Sequence, residues 1–231
     1  MAHGLPGVHI LEADSPEATL AGLRYYPGLF KTAVHAEDAL RSRDLKANTQ
    51  REALQQKLTP EAYLRELAIT LTFAVNPQEH STRIAELLHK TNQFIVACKR
   101  PSQNELAQYF TDADRCVVTA SLADKLSDSG LIAVVLAAKS GTTLCLEEIA
   151  ISCRALGRGL EGGMLHHMLH LAAKSLHAGP PYSFRYVTAP RNKPALAWLH
   201  SLAPASLGES GTLVLPALPP TSLAGVRVEH A

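Results

Sequence analysis

The stretch Ser152-Cys153-Arg154-Ala155-Leu156-Gly157-Arg158-Gly159-Leu160-Glu161 holds the residues best spaced for chemistry. An apolar, β-rich run from Thr142 to Ile151 leads into it, and a helical pattern from Leu160 to Leu176 leads out. Gly157 and Gly159 let the backbone approach a ligand without a Cβ in the way. A helix start offers unpaired N–H groups and the positive end of the helix dipole, both suited to a phosphate. The spacing Arg154-x-x-Gly157-x-Gly159 therefore predicts a diphosphate cradle, with Arg154 and Arg158 beside it. A Gly-x-Gly pair also serves strand–helix turns that bind nothing, so the motif alone leaves both readings open.

Two commoner phosphate sites are excluded. Gly157-x-Gly159-x-x-Gly162 matches the letters of a dinucleotide fingerprint. That fingerprint wants an acidic residue roughly 20 residues further on, and no Asp or Glu lies between Leu171 and Val187. Only one βαβ unit is visible, where a nicotinamide or flavin fold needs several. A Walker A loop would need Gly-Lys-Ser/Thr, which is absent.

The chain that must position this loop has 231 residues and a net charge of +1, enough for one good core and an appendage. No Lys/Arg run exceeds two residues, which argues against a nucleic-acid or anionic-membrane partner. The longest apolar run, Leu131 to Ala138, is too short to span a bilayer. The N-terminus lacks the pattern of a signal peptide. Cys98, Cys116, Cys145 and Cys153 show no Cys-x-x-Cys pairing and are expected as reduced thiols in a cytoplasm.

Leu5 to Leu11 predicts a short strand, and Asp14-Ser15-Pro16-Glu17 starts a helix through about Arg24. From Ala36 to Leu58 the pattern is helical, charged and sparsely apolar, as in a solvated connecting helix. Thr59-Pro60-Glu61 starts another helix. Then come a strand at Ile69 to Phe73, a helix at Ser81 to Lys90, and a capping box, Ser102 to Glu105, before a short helix. Strands at Arg115–Ala120, Gly130–Ala138 and Thr142–Ile151 feed the glycine loop. After the loop helix come a strand near Ser183 to Val187, a helix from Asn192 to Leu202, a strand at Thr212 to Leu215 and a last strand at Val226 to Val228. The expected divisions are 1–58, 59–216 and 217–231. The first holds an N-terminal appendage, the second the main α/β domain of α+β type, and the third a tail.

That order, antiparallel strands feeding a phosphate loop and a strand–helix pair following it, resembles the GNAT acyltransferase fold, a mixed, mostly antiparallel sheet flanked by helices. In that fold two neighbouring strands splay apart and a pantetheine arm lies in the gap. Several segments resemble one family more closely. Lys90-Thr91-Asn92-Gln93-Phe94, the Ser152–Glu161 loop, Leu122-x-Asp124-Lys125-x-x-Asp128-Ser129-Gly130 and Tyr186 to Pro194 are similar, in order and spacing, to motifs of FkbH-like proteins. Those proteins join a haloacid-dehalogenase-type (HAD) domain to a GNAT-like domain. The resemblance implies work in polyketide-type assembly, with a glyceryl or acyl unit loaded onto an acyl carrier protein. It implies coenzyme A or a phosphopantetheine thioester as cofactor, and no metal. The HAD half is missing: no Asp-x-Asp-x-Thr occurs, and Leu5 to Leu11 looks like its last strand. The expectation is a C-terminal portion of such a protein, or a stand-alone remnant, with an upstream HAD-like domain as a possible partner. Ile95-Val96-Ala97-Cys98 replaces the family's Asn-Leu-Thr-Thr, a departure that bears on catalysis.

Acyl transfer needs a base or thiolate, an oxyanion donor and a positioned pantetheine. Alternation places Glu147 and Glu148 on opposite faces of the strand before the loop. Glu147 is either a catalytic base or an ion-paired carboxylate. Cys153, near a helix start, is either an acyl-accepting thiol or a packed one. Asn192 either hydrogen-bonds the pantetheine or caps its helix. Arg154, Gly157, Arg158 and Gly159 complete the cofactor set, and Asn92, Gln93 and Phe94 the acceptor side. His166 and His170 have a metal-ligand spacing, but nothing in the sequence offers a third ligand. The rival function is a module that docks a carrier protein or its arm without chemistry, or a degenerate remnant.

Overall fold

The structure, a computed structural model, describes residues 14–26, 36–203 and 207–231, with 36–42 and 45 as backbone only. The strand expected at Leu5 to Leu11 lies outside the described residues. Two compact units divide the chain, Met1–Asp38 and Ala39–Ala231. In the first, α1 (Pro16–Tyr25) begins where the Ser15 hydroxyl accepts from the Ala18 amide at 3.1 Å, and it buries no residue. Helix α2 (Ala36–Gln55) runs into the second unit.

The rest of the second unit is α3 (Pro60–Glu66), β1 (Thr70–Val75), a 3-10 turn at Gln78–His80, α4 (Ser81–Lys90), β2 (Phe94–Ile95), α5 (Gln103–Thr111), β3 (Arg115–Ala123), β4 (Asp128–Ser140), β5 (Thr143–Ile151), α6 (Glu161–Ser175), β6 (Gly179–Val187), α7 (Lys193–Leu202), β7 (Ser210–Leu215) and β8 (Arg227–His230). Among the described residues the strands form one eight-stranded sheet in the order β7-β6-β5-β4-β3-β1-β8, with β2 attached to β5. Antiparallel pairs dominate. The parallel ones are β5–β6, joined through α6, and β1–β8.

Strands β3 and β4 are apolar on successive residues because helices cover both faces. Val118, Ile132 and Val135 pack in a core with Met164, Leu165 and Met168 of α6 and Leu199 of α7. Val117, Val134 and Leu136 pack on the other face with Ile84, Leu87 and Leu88 of α4 and Leu106 and Tyr109 of α5. The capping box at Ser102 and Glu105 forms as its sequence predicts. The fold is thus of the α+β type, a mixed, mostly antiparallel sheet flanked by helices.

Helix α2 differs from the expected solvated connector. Asp44 and Ala47 are buried, and Arg51 is 3% exposed. Asp44 and Arg51 face inward because their partners lie in distant loops, which helical periodicity cannot reveal, while Arg43, Lys46 and Glu52 are exposed.

Candidate phosphate loop and a filled interstrand gap

Strand β5 ends at Ile151 and the loop 152–160 carries the chain to α6. Gly157 and Gly159 both have left-handed backbones, φ +79° and +73°. That conformation strains any residue with a Cβ. A Cβ built on either glycine meets no atom within 4 Å, so the outer side of the loop is open. The loop already holds one anion of its own: the Gly157 amide donates to Glu161 Oε1 at 2.6 Å. A carboxylate bound there shows that the amide is presented outward, at the start of a 15-residue helix. That single amide is a donor of the kind an anion accepts.

The arginines have other partners. Arg158 is 5% exposed, and its guanidinium turns inward. It donates to Asp124 Oδ2 at 3.2 Å, to Asp44 Oδ1 at 3.2 Å and to the Arg154 carbonyl at 2.7 Å. Arg51 joins the same carboxylates, at 2.8 Å to Asp44 and 2.9 Å to Asp124. Ser127 and Ser129 complete the network by donating to Asp44 Oδ1. Burial penalises the Asp44 charge, yet the Ser127 hydroxyl and the Arg158 guanidinium outweigh it and hold the carboxyl below its usual range. Arg158 therefore pins the loop to α2 and to the β3–β4 turn; it does not point at the open side. Arg154 is 8% exposed and its Nε lies 3.4 Å from the Ser152 hydroxyl. Cys153 is exposed.

The gap beside β5 is the second feature. Strand β6 pairs with β5 only from Thr143 to Leu146, so the two strands part before the loop. Strand β2 fills the opening. Phe94 pairs with Ile151 and Ile95 with Ala150 on β5. Val96 N donates to Ile149 O at 3.0 Å, and Val187 N at the end of β6 donates to Val96 O at 3.0 Å. The segment thus bridges both walls. Phe94 and Val96 join one core, and Ile95 joins the other. Withdrawing these three side chains would re-expose groups whose burial stabilises by roughly 1.5–3 kcal/mol each.

Glu148 anchors this segment. A bulge opposes Leu136 and Ala137 to Glu148 and Leu146, leaving Glu147 as the extra residue. The simple alternation expected for the two glutamates is broken there. Glu148 Oε1 accepts from Val96 N at 3.0 Å, Ala97 N at 2.9 Å and its neighbour Ile149 N at 2.9 Å, while Oε2 accepts from Lys99 N. Burial pushes this carboxyl up to about 7, against four amides that favour its ionised form. Asn192 is fully buried. Its amide donates to Ile95 O at 3.0 Å and Val187 O at 2.8 Å, and its carbonyl accepts from Ala189 N at 2.9 Å. Asn192 is committed to the filled gap and makes no side-chain cap for α7.

Glu147 meets Lys99 Nζ at 2.8 Å, the Tyr109 hydroxyl, and Arg185 at 3.9 Å. Burial opposes its charge, but Lys99 and Tyr109 outweigh it and hold the carboxyl below its usual range. Tyr109, buried against that carboxylate, is shifted up. The cluster is an ion pair on the α5 face. Asn92 and Gln93 are exposed, with Asn92 Oδ1 accepting from Arg100 at 2.9 Å, while Phe94 is buried against Trp198 at 5.9 Å between ring centroids. The structure therefore gathers Phe94, Glu147 and Asn192 around one segment, 94–99, and sets Gly157 and Gly159 apart on the loop. Sequence reading missed Lys99, Tyr109 and the hub role of Glu148. The one available signal was the apolar run Phe94-Ile95-Val96-Ala97, which is long enough for a short buried strand.

His166 and His170 lie with their Nε2 atoms 3.2 Å apart. Among the described residues, no group of three or more His, Cys, Asp or Glu is placed to hold a metal ion. Among them too, no helix is long and apolar enough to cross a membrane.

No protein-family model matches the chain, and no curated protein matches it in sequence. Among solved structures it is similar to the ribosomal-protein-S18-alanine N-acetyltransferase of Escherichia coli, at 14% identity and TM-score 0.45, over 67% of this chain and 98% of that one. It is similar to the diaminobutyrate acetyltransferase EctA of Paenibacillus lautus, at 13% identity and TM-score 0.44, over 66% and 98%. A GNAT superfamily phosphinothricin acetyltransferase from Sinorhizobium meliloti gives 18% identity and TM-score 0.40, over 59% and 74%.

Proposed function

We propose that this chain recognises the phosphate end of a pantetheine thioester, either coenzyme A or the phosphopantetheine of a carrier protein, and serves acyl transfer from it. One observation carries the reading: the Gly157 amide donates to a carboxylate, in a loop leading into α6 whose Gly157 and Gly159 are open where a Cβ would lie. Bound there, the thioester would supply the activated acyl group. The chain's own contribution is to hold the phosphate on backbone N–H groups, with Arg158 keeping the loop in shape from behind. Loading of an acyl carrier protein in polyketide-type biosynthesis is the finer reading, and the motif resemblance at Lys90–Phe94 and Ser152–Glu161 supports it.

A second reading is favoured by a specific observation. The gap where an arm would lie is filled by Phe94 to Ala97, and Glu147 is engaged by Lys99 and Tyr109. A module that docks a carrier protein through its phosphate without performing transfer fits that state.

Calorimetric titration with coenzyme A and with a phosphopantetheinylated carrier protein tests the common core of both readings. Binding by the wild type, lost on Gly157→Asp, is expected, because the new carboxylate faces the phosphate. Equal affinity in the two proteins, or no binding by folded wild type, would remove the pocket. Acyl transfer to the carrier protein, measured alongside, separates the enzyme from the docking module.

A further inference from the structure

We infer that Phe94 to Lys99 is a resident occupant of the arm-binding gap, an intramolecular competitor that a pantetheine arm must displace. This rests on the proposed phosphate site, and it adds how access to that site is controlled.

The free edge of β5 beyond Leu146 offers the Ile149 carbonyl and the Glu148 carboxylate. Both are acceptors, so the edge suits an extended chain that carries N–H donors. A pantetheine arm is such a chain, with two amides along an extended backbone. In the structure the donors come from Val96, Ala97 and Lys99. The facing wall holds the same segment through Val187 N and the Asn192 amide. Phosphate loop and arm gap lie at consecutive residues of one strand and its following loop. A ligand anchored at Gly157 and Gly159 therefore delivers its arm to the end of β5, where the segment now pairs.

Displacement has a second effect. Lys99 belongs to the segment that leaves, and its ammonium pairs with Glu147 at 2.8 Å. Releasing it takes a cation from Glu147 and leaves that carboxylate with Tyr109 and the distant Arg185. A carboxylate with fewer cations is a stronger base. The filled gap thus silences Glu147 and blocks the arm together, and one movement relieves both.

Backbone amide exchange, read with two ligands, tests this. Coenzyme A carries phosphates and arm; its nucleotide end, 3′-phospho-ADP, carries the phosphates alone. In the free protein the amides of Val96, Ala97 and Lys99 are expected to be protected. Saturating coenzyme A should speed their exchange at least tenfold, and 3′-phospho-ADP should leave it unchanged. Val96→Pro deletes the donor to Ile149 and Glu148 without altering β5, the loop or α6. It should bind coenzyme A at least tenfold tighter, because the occupant no longer competes, and bind 3′-phospho-ADP as wild type does. Coenzyme A bound with no change at the three amides, or bound equally by wild type and folded Val96→Pro, overturns the inference while the phosphate site stands. Failure of both ligands to bind either protein overturns the inference and the phosphate site together.

Discussion

The last residues of β5 and the loop that follows are neighbours in sequence and opposites in state. From Glu148 to Ile151, the strand edge is closed by the chain itself: carbonyls, carboxylate and flanking side chains all have intramolecular partners. From Gly157 to Gly159, the loop is held on its inner side by Arg158 and at the Gly157 carbonyl by Gln55 Nε2, 3.2 Å away, and is open where a glycine Cβ would lie. The difference comes from what each stretch presents. A strand edge displays alternating donors and acceptors that any extended segment can satisfy, including the protein's own. In the glycine loop the Gly157 amide takes the Glu161 carboxylate and the Gly157 carbonyl takes the Gln55 amide, both in exposed hydrogen bonds.

The comparison breaks most severely at Arg158. If its role is to close the inner side of the loop, Arg158→Ala leaves Asp44 and Asp124 buried with Arg51 as their remaining cation. Loss of one member of a buried ion network costs about 3–5 kcal/mol. Urea unfolding should show that loss, and Arg158→Lys should recover little of it, since one ammonium cannot reach two carboxylates and a carbonyl as the fork does. A change under about 1 kcal/mol would mean that the inner side is held by something else.

The closed gap should respond to pH with a defined sign. Glu148 is raised from 4.5 to about 7 in the folded state, so the fold binds its proton more tightly than the unfolded chain does. Its contribution is present in full below pH 4.5 and is lost as pH rises toward about 7. Stability should fall across that window by on the order of 2–3 kcal/mol, and Glu148→Leu should flatten the dependence. A flat profile in the wild type would show that the four amides fully offset burial. Asp44 acts at the other end of the scale: its lowered pKa supports the fold above 3.8, and that support is lost as pH falls further.

A smaller effect is expected at the open loop. Gly159→Ala should destabilise by roughly 1–2 kcal/mol, from the left-handed backbone alone, because no atom stands within 4 Å of the new methyl group. A larger loss would mean that the outer side is not open.

Much of this was legible in the residues. The strand–glycine–helix run, the α6 pattern and the three strands before the loop follow from local chemistry and periodicity, and α6 begins within one residue of its expected start. The closed half was less legible because its partners are far apart in sequence. Arg158 meets Asp44 across 114 residues and Glu148 meets Val96 across 52. Arg158 sits beside two glycines, so its position in sequence suggests a phosphate ligand; its burial is decided by acids on α2 and the β3–β4 turn. Asn192 misleads similarly, since its place before a helix suggests a cap while its amide bridges Ile95 and Val187. The two-residue β2 has no alternation to read, and its only sequence signal is the short apolar run from Phe94 to Ala97. The bulge at Glu147 likewise overrides the alternation on which facing residues are assigned.

The central claim is that the loop amides form a phosphate site. It is tested most directly by following the backbone amide resonances of the protein during titration with 3′-phospho-ADP, which does not depend on whether the gap opens. The account predicts saturable shifts concentrated at Gly157, Arg158, Gly159 and the first turn of α6, with little change at Val96 or Ala97. Shifts absent from these amides at saturating ligand, or spread over the surface without saturation, would contradict it.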